Sequence, residues 1–154
     1  MAAQGAEVVE ADVRDEARLT EAFDGAAHAY LVTNFWEHMS PEQEKQDAAT
    51  MARAAKKAGL RHVIWSTLDD TRDHIPLDDE RMPTLMGQYK VPHFDAKAEA
   101  DRFFIDAGVP TTFLRTTFYR GAGQCSRLQT GGVGPRGMAP KGLSVPYPEL
   151  WNRS

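Results

Sequence analysis

Three polar side chains stand at positions from which they could carry out proton transfer. Ser66 ends an apolar run, and His93 and Lys97 lie four residues apart in a segment that predicts a helix. Residues four apart share one helix face, so the imidazole and the ammonium can point to the same space. A hydroxyl can position a reacting oxygen, and a histidine can act as acid or base near neutral pH. The spacing therefore indicates a candidate catalytic group, although such His–Lys pairs are also common on solvated helix faces.

A second set of candidate residues follows the apolar run that contains Leu31 and Val32. Thr33, Asn34 and Phe35 come directly after this run, which lacks the polar alternation of a half-exposed strand. Such a run is typical of a parallel strand that is covered on both faces, and open α/β sheets bind ligands at the carboxyl ends of their strands. We therefore expect a cofactor or substrate beside Thr33 and Asn34, the alternative being an ordinary turn containing Asn.

The composition is that of one soluble globular domain. The 154 residues are 42% hydrophobic and 26% charged, with a formal net charge of -4. Without a Lys/Arg cluster, a signal peptide or an apolar run of roughly 20 residues, we expect no nucleic-acid binding, no membrane association and a cytoplasmic location. Cys125 is the only cysteine, and the carboxylates of residues 69–91 match no ligand spacing, so no metal site is expected.

Strand and helix patterns alternate along the first 120 residues, which predicts an α/β fold. The predicted strands are 6–11, 29–34, 62–67 and 111–116. One helix is predicted from Asp15, a second between the cap Ser40–Pro41 and Gly59, and a third from Pro92 to Ala107. Their predicted inner faces are Leu19, Ala22, Phe23 and Ala26, then Ala48, Met51, Ala52 and Ala55, then Phe94, Ala98 and Ile105. Residues 69–91 are predicted to be a solvated loop, and the Gly/Pro-rich residues 121–154 an irregular tail after a domain at 1–120.

The order of several short motifs resembles the NmrA-like family of atypical short-chain dehydrogenase/reductases. The motifs are residues 2–12, 33–37, 93–97 and 114–119, and their combination is more specific than any one of them. The resemblance implies a Rossmann-like, doubly wound parallel sheet that binds NADP or NAD. It also implies a redox-responsive regulatory protein that acts on a partner protein and has weak or no oxidoreductase activity.

The same resemblance assigns cofactor contacts to individual residues. Asp12 and Val13 match the adenine-facing position, Thr33, Asn34 and Phe35 the strand end along the cofactor, Lys97 the lysine near the nicotinamide ribose, and Tyr119 the start of a cofactor-side loop. His93 falls where dehydrogenases of the wider superfamily carry the catalytic tyrosine. This exchanges a group of pKa about 10 for one near 6.5, which argues against tyrosine-type reduction.

The chain departs from the family pattern in ways that bear on cofactor binding. No glycine-rich turn precedes Ala6, Gln46 replaces a helical lysine, and Ala122 replaces a loop asparagine. The fold is therefore expected to be incomplete, with the first two strands and the glycine-rich loop missing, and the chain to be an amino-terminally truncated member. Cofactor binding should be weakened, and the edge at Leu31 and Val32 should invite self-association.

Two alternative functions stay open. One is an NAD(P)H-dependent reductase of the quinone or isoflavone type, in which Ser66, His93 and Lys97 form the proton relay. The other is a protein-interaction module that uses no cofactor.

Overall fold

A computed structural model describes residues 5–115, which fold as a three-stranded parallel sheet with helices packed on it. In chain order the elements are α1 (Glu16–Ala22), β1 (His28–Leu31), α2 (Phe35–His38), α3 (Pro41–Lys57), β2 (His62–Thr67), a 3₁₀ turn (Thr71–Asp73), α4 (Pro92–Asp106) and β3 (Thr111–Arg115). The α/β class is confirmed. The predicted boundary at residue 120 and the tail at 121–154 lie outside the described residues.

The three strands lie in sequence order and all run in the same direction. β1 pairs with β2 from His28 opposite His62 to Leu31 opposite Trp65, and β2 pairs with β3 from Val63 opposite Thr111 onward. α3 and α4 are the crossovers between successive strands, so the sheet is built from two βαβ units. Because the strands are parallel, their carboxyl ends meet at one edge of the sheet.

The described core lies on one face of the sheet only. Leu31, Val63 and Trp65 pack there against α1, the alanines of α3 and Phe104 of α4. On the opposite face Tyr30 is 55% exposed and Val32 51%, and Ile64 and Leu114 are exposed as well. The expectation that β1 is covered on both faces is therefore wrong within residues 5–115.

The strand predicted at residues 6–11 is absent, because this segment has no pairing partner among the described residues. Residues 6–12 are irregular, and Val8 is 71% exposed. A strand forms only where its backbone groups pair with a neighbour, so a β-type pattern without a neighbour does not become one.

The helix signal at Ser40 and Pro41 is confirmed. The Ser40 side chain accepts a hydrogen bond from the backbone N–H of Gln43, and Pro41 opens α3. The Gln43 side chain does not complete a capping box but donates to Asp47 at 2.7 Å. Gly59 ends the helix with φ of 72°, a left-handed conformation that glycine adopts without strain.

The inner face predicted for α4 is wrong. Ala96, Ala100 and Phe104 are fully buried, whereas Ile105 is 63% exposed. Phe103, Phe104 and Ile105 are three consecutive apolar residues, and such a run does not show which of them faces the core. Packing decides this, because the Phe104 ring lies 4.8 Å from the Trp65 ring.

The prediction of a solvated loop at residues 69–91 is wrong at its carboxyl end. Tyr89 is fully buried, and the Lys90 ammonium donates to the carbonyls of Asp79 and Met82, both at 2.7 Å. The buried carboxylate of Asp95 in α4 accepts from the backbone N–H groups of Thr71 (2.9 Å), Lys90 (2.8 Å) and Val91 (3.1 Å). The loop is thus anchored to the first turn of α4.

No helix among residues 5–115 is both long and apolar enough to cross a lipid bilayer. Within the same residues no group of three or more His, Cys, Asp or Glu side chains is arranged to hold a metal ion.

Candidate functional site

The carboxyl end of β1 lies against the first turns of α3 and α4. Thr33 follows this strand and is buried, and Lys97 of α4 reaches it across the fold. Of the predicted site residues, the structure brings Thr33 and Lys97 into direct contact. They belong to a buried polar group that we call the strand-end cluster, which consists of Thr33, His38, Glu44, Asp47 and Lys97.

The ammonium of Lys97 makes two hydrogen bonds and one ion pair within this cluster. Its Nζ lies 2.6 Å from Thr33 Oγ1 and 3.2 Å from the Thr33 carbonyl oxygen. Glu44 Oε1 is 2.8 Å away. The same ammonium stands 5.2 Å from the centroid of the Trp65 ring, a cation–π distance. Lys97 therefore places a buried ammonium at the edge of the sheet where the carboxyl ends of the strands meet.

Glu44 is the functional candidate that the sequence predictions missed. Its side chain is fully buried in the first turn of α3, and Oε1 accepts a hydrogen bond from Thr33 Oγ1 and forms an ion pair with Lys97. A signal existed, because Glu44, Ala48 and Ala55 recur at helical spacing on the face that packs on the sheet. A charged residue on a buried face is costly unless it is paired, so its position indicates a partner.

His38 lies beside the second carboxylate oxygen of Glu44, Oε2, and Asp47 lies beside His38. His38 Nδ1 accepts from the Ser40 backbone N–H at 3.1 Å, which leaves the proton of a neutral ring on Nε2. That Nε2 lies 3.3 Å from Glu44 Oε2 and 3.8 Å from Asp47 Oδ2. Neither His38 Nε2 nor Glu44 Oε2 has an aligned hydrogen bond among the described residues, so the first contact is close but imperfectly directed.

His93 lies in an aromatic group rather than in the polar cluster. Its ring is 5.0 Å from Trp36, 5.7 Å from Phe35 and 4.8 Å from Phe94. Burial lowers the pKa of His93, and the positive charge of Lys97 lowers it further, whereas Asp95 and Glu44 act in the opposite direction. The ring is therefore mainly neutral at physiological pH. Trp36 is exposed beside it and provides an open aromatic surface.

Ser66 is buried, but its neighbour Thr67 contacts the helix that carries Lys97. The Thr67 hydroxyl donates to the Lys97 carbonyl oxygen at 3.2 Å. Successive side chains of a strand point to opposite faces, so Ser66 lies on the other face of β2 from Thr67. The catalytic role of Ser66 stays a prediction.

Asp12, Val13 and Asn34, which were also predicted to contact the cofactor, make contacts of their own. Asp12 is exposed, and its carboxylate accepts from the backbone N–H of Arg14 at 2.9 Å, a bond that lowers the pKa of Asp12. Val13 packs against the core. The Asn34 side chain donates to Glu37 at 3.1 Å. Tyr119 lies outside the described residues.

Comparison with known proteins identifies relatives that cover most of this chain. The family model described as "NmrA-like family" matches residues 1–130. The nitrogen metabolite repression protein nmr of Neurospora crassa is 28% identical over 105 residues, which are 68% of this chain and 18% of that protein.

Two solved reductase structures resemble the fold. The NADPH-dependent quinone oxidoreductase of Escherichia coli, complexed with NADPH, is 28% identical with a TM-score of 0.57, and the match covers 77% of this chain and 35% of that one. The Citrobacter sp. triphenylmethane reductase, complexed with NADP(H), has a TM-score of 0.61 at 20% identity and covers 77% and 36%. The chain thus spans about a third of the length of these structures. With the family model matching residues 1–130 of 154, the chain belongs to the NmrA-like family.

Proposed function

We propose that the strand-end cluster is the nicotinamide side of a dinucleotide site, and that this chain is part of an NAD(P)-binding domain. The observation that carries the proposal is the buried Lys97 ammonium, which Thr33 holds at the carboxyl end of β1. Ligands of open α/β sheets bind at this edge, and the quinone oxidoreductase that resembles the chain is complexed with NADPH. Lys97 would bind ribose hydroxyls, and Thr33, Asn34 and Phe35 would line the cofactor.

The adenine end of the proposed site is formed by Asp12 and Val13. The Asp12 carboxylate would accept from the exocyclic amine of adenine, and the Val13 N–H would donate to the ring. Because Asp12 already accepts from Arg14, the ligand would compete with a local bond at an exposed site. We therefore expect Asp12 to contribute less to affinity than Lys97 does.

We further propose a redox-responsive regulatory role with weak or no oxidoreductase activity. The family resemblance assigns His93 to the position of the catalytic tyrosine, and the lowered pKa of His93 favours a neutral ring. A neutral imidazole surrounded by aromatic rings is a poor substitute for a proton-donating phenol. The resemblance to a protein named for nitrogen metabolite repression also supports a regulatory role.

The second candidate function is an NAD(P)H-dependent reductase of quinones. The exposed Trp36 ring, 5.0 Å from His93, could stack on a planar substrate, and one relative is a quinone oxidoreductase. In that case Ser66, His93 and Lys97 would serve as the proton relay. A protein-interaction module without cofactor is the third candidate, and it requires that Lys97 has no ligand.

The affinity of this chain for the cofactor is expected to be weak. Within residues 5–115 no glycine-rich turn links a strand to a helix, so the backbone cradle for the pyrophosphate is missing there. Several charge-assisted hydrogen bonds of ~1.5 to 3 kcal/mol each would be lost, which corresponds to orders of magnitude in affinity.

A measurement of quinone reduction distinguishes the regulatory proposal from the reductase candidate. Lys97→Ala and His93→Ala would be compared in NADPH titrations and in NADPH oxidation with a panel of quinones. Lys97→Ala should weaken binding about tenfold or more, whereas His93→Ala should change it little. Quinone turnover that His93→Ala alone abolishes would favour the reductase and overturn the regulatory proposal.

A further inference from the structure

We propose that Glu44 is a positioning residue that holds the Lys97 ammonium in place at the end of β1. The proposal deepens the proposed function, because it names the group that orients the cofactor-side lysine. Lys97 touches the expected ligand, whereas Glu44 acts through Lys97 and is not a catalytic residue.

The geometry fixes the direction of the ammonium. Glu44 Oε1 is 2.8 Å from Lys97 Nζ, and the Thr33 hydroxyl accepts from Lys97 while it donates to the same Oε1. The carboxylate, the hydroxyl and the ammonium therefore close a ring of three contacts. A single rotation of the lysine side chain would break two of these contacts at once.

The position of Glu44 in α3 supports its negative charge. It lies in the first turn of a 17-residue helix, where the unpaired N–H groups and the helix dipole favour an anion. The His38 ring, 3.3 Å from Oε2, adds a polar neighbour on the other side. These groups offset part of the cost of burying a carboxylate that is fully shielded from solvent.

A gain in the stability of the fold does not by itself explain the buried ion pair of Glu44 and Lys97. A buried ion pair is often no more stabilising than two apolar side chains of the same volume, because both charges lose their hydration. The same two helices also carry a second pair, Lys45 with Glu99 at 2.9 Å, which is partly exposed. That pair joins α3 to α4 without approaching Thr33, so it is a matched control for the buried one.

The test measures how fast each lysine reacts with sulfosuccinimidyl acetate, by mass spectrometry of peptides from the full chain. Lys57 is exposed and normalises the rates. Lys90 is 2% exposed and held by two carbonyls elsewhere, so its rate reports any general loosening of the fold. The variants are Glu44→Gln, which keeps the shape but removes the charge, and Glu99→Gln as the control.

Glu44→Gln should raise the Lys97 rate about tenfold, because the ammonium loses its buried ion pair, and should leave Lys90 unchanged. Glu99→Gln should raise the Lys45 rate and leave Lys97 unchanged. Glu44→Asp keeps the charge and should restore part of the protection, and Thr33→Val should leave most of it in place.

Three results would overturn the proposal. They are equal acceleration of Lys90 and Lys97 in both Glu44 variants, a Lys97 rate unchanged by Glu44→Gln, and no difference between Glu44→Asp and Glu44→Gln. The proposed function is tested separately, by measuring whether millimolar NADPH slows the labelling of Lys97 in the unmodified chain. Failure of that protection would count against the dinucleotide site without affecting the assignment of Glu44.

Discussion

At Lys97 one ammonium donates hydrogen bonds to two oxygens of Thr33 and forms an ion pair with Glu44. A ligand hydroxyl that binds this lysine must therefore replace or share one of these acceptors. The Thr33 carbonyl, at 3.2 Å, makes the longest contact and is the one most easily exchanged. The Lys97 ammonium is thus already engaged by protein groups, and a ligand would compete with them.

The depressed pKa of His93 makes stability depend on pH. Because burial lowers this pKa in the folded chain, the unfolded chain takes up the proton first as the pH falls. The neutral ring therefore contributes stability that is present above the unfolded value near 6.5 and is lost as the pH falls through the folded pKa. We expect His93→Phe to lose less stability than the unmodified chain between pH 7.5 and 5, as measured by urea unfolding. Identical losses in the two proteins would contradict this account.

Sequence reasoning identified Thr33 and Lys97 but not the residue that joins them. Thr33 and Lys97 are 64 positions apart, and Glu44 is 11 positions from Thr33. The four-residue spacing of His93 and Lys97 predicted that the two side chains share one space, but the His93 ring packs among aromatic rings whereas the Lys97 ammonium joins the polar cluster. Which side of a helix contacts which strand depends on packing that no local pattern specifies.

At the scale of elements, Asp95 anchors the loop of residues 69–91 to α4. Its carboxylate is fully buried and accepts from three backbone N–H groups and from the Thr71 hydroxyl at 2.5 Å. Asp95→Asn places an amide N–H against backbone donors, and should cost about 3 kcal/mol of unfolding free energy. The control is Asp106→Asn, an exposed residue of the same helix, which should change stability by less than ~0.5 kcal/mol. Chemical denaturation of both variants checks the difference, and equal effects would show that the anchor is unimportant.

The elements differ in how well the sequence predicted them. The start of α3 was predictable because Ser40 and Pro41 act locally on the helix end. The β2 strand was also found with its observed limits of His62–Thr67. The strand at 6–11 and the inner face of α4 were wrong because both depend on partners elsewhere in the chain. Local signals thus predicted where a helix or strand begins and ends better than they predicted which part of the chain it packs against.

At the scale of the molecule, the sheet presents an exposed apolar face. Tyr30, Val32, Ile64 and Leu114 are exposed on the side away from the helices. Apolar surface of this kind favours association, so light scattering should show the average mass rising with concentration. Val32→Lys should reduce the rise, whereas Ile105→Lys, on exposed α4 surface, should not. A monodisperse monomer at all concentrations would contradict the expectation.

The measurement that tests the central claim most directly is an NMR titration of the ¹⁵N-labelled chain with NADPH. The account predicts saturable shifts of the backbone amide signals of residues 33–35 and of Lys97, with a dissociation constant weaker than micromolar. Lys97→Ala should remove most of the response, and Lys45→Ala, which removes the outer pair with Glu99 and the hydrogen bond to the Tyr89 hydroxyl, should preserve it. Shifts that avoid residues 33–35, or that persist unchanged in Lys97→Ala, would show that the dinucleotide does not bind at the end of β1.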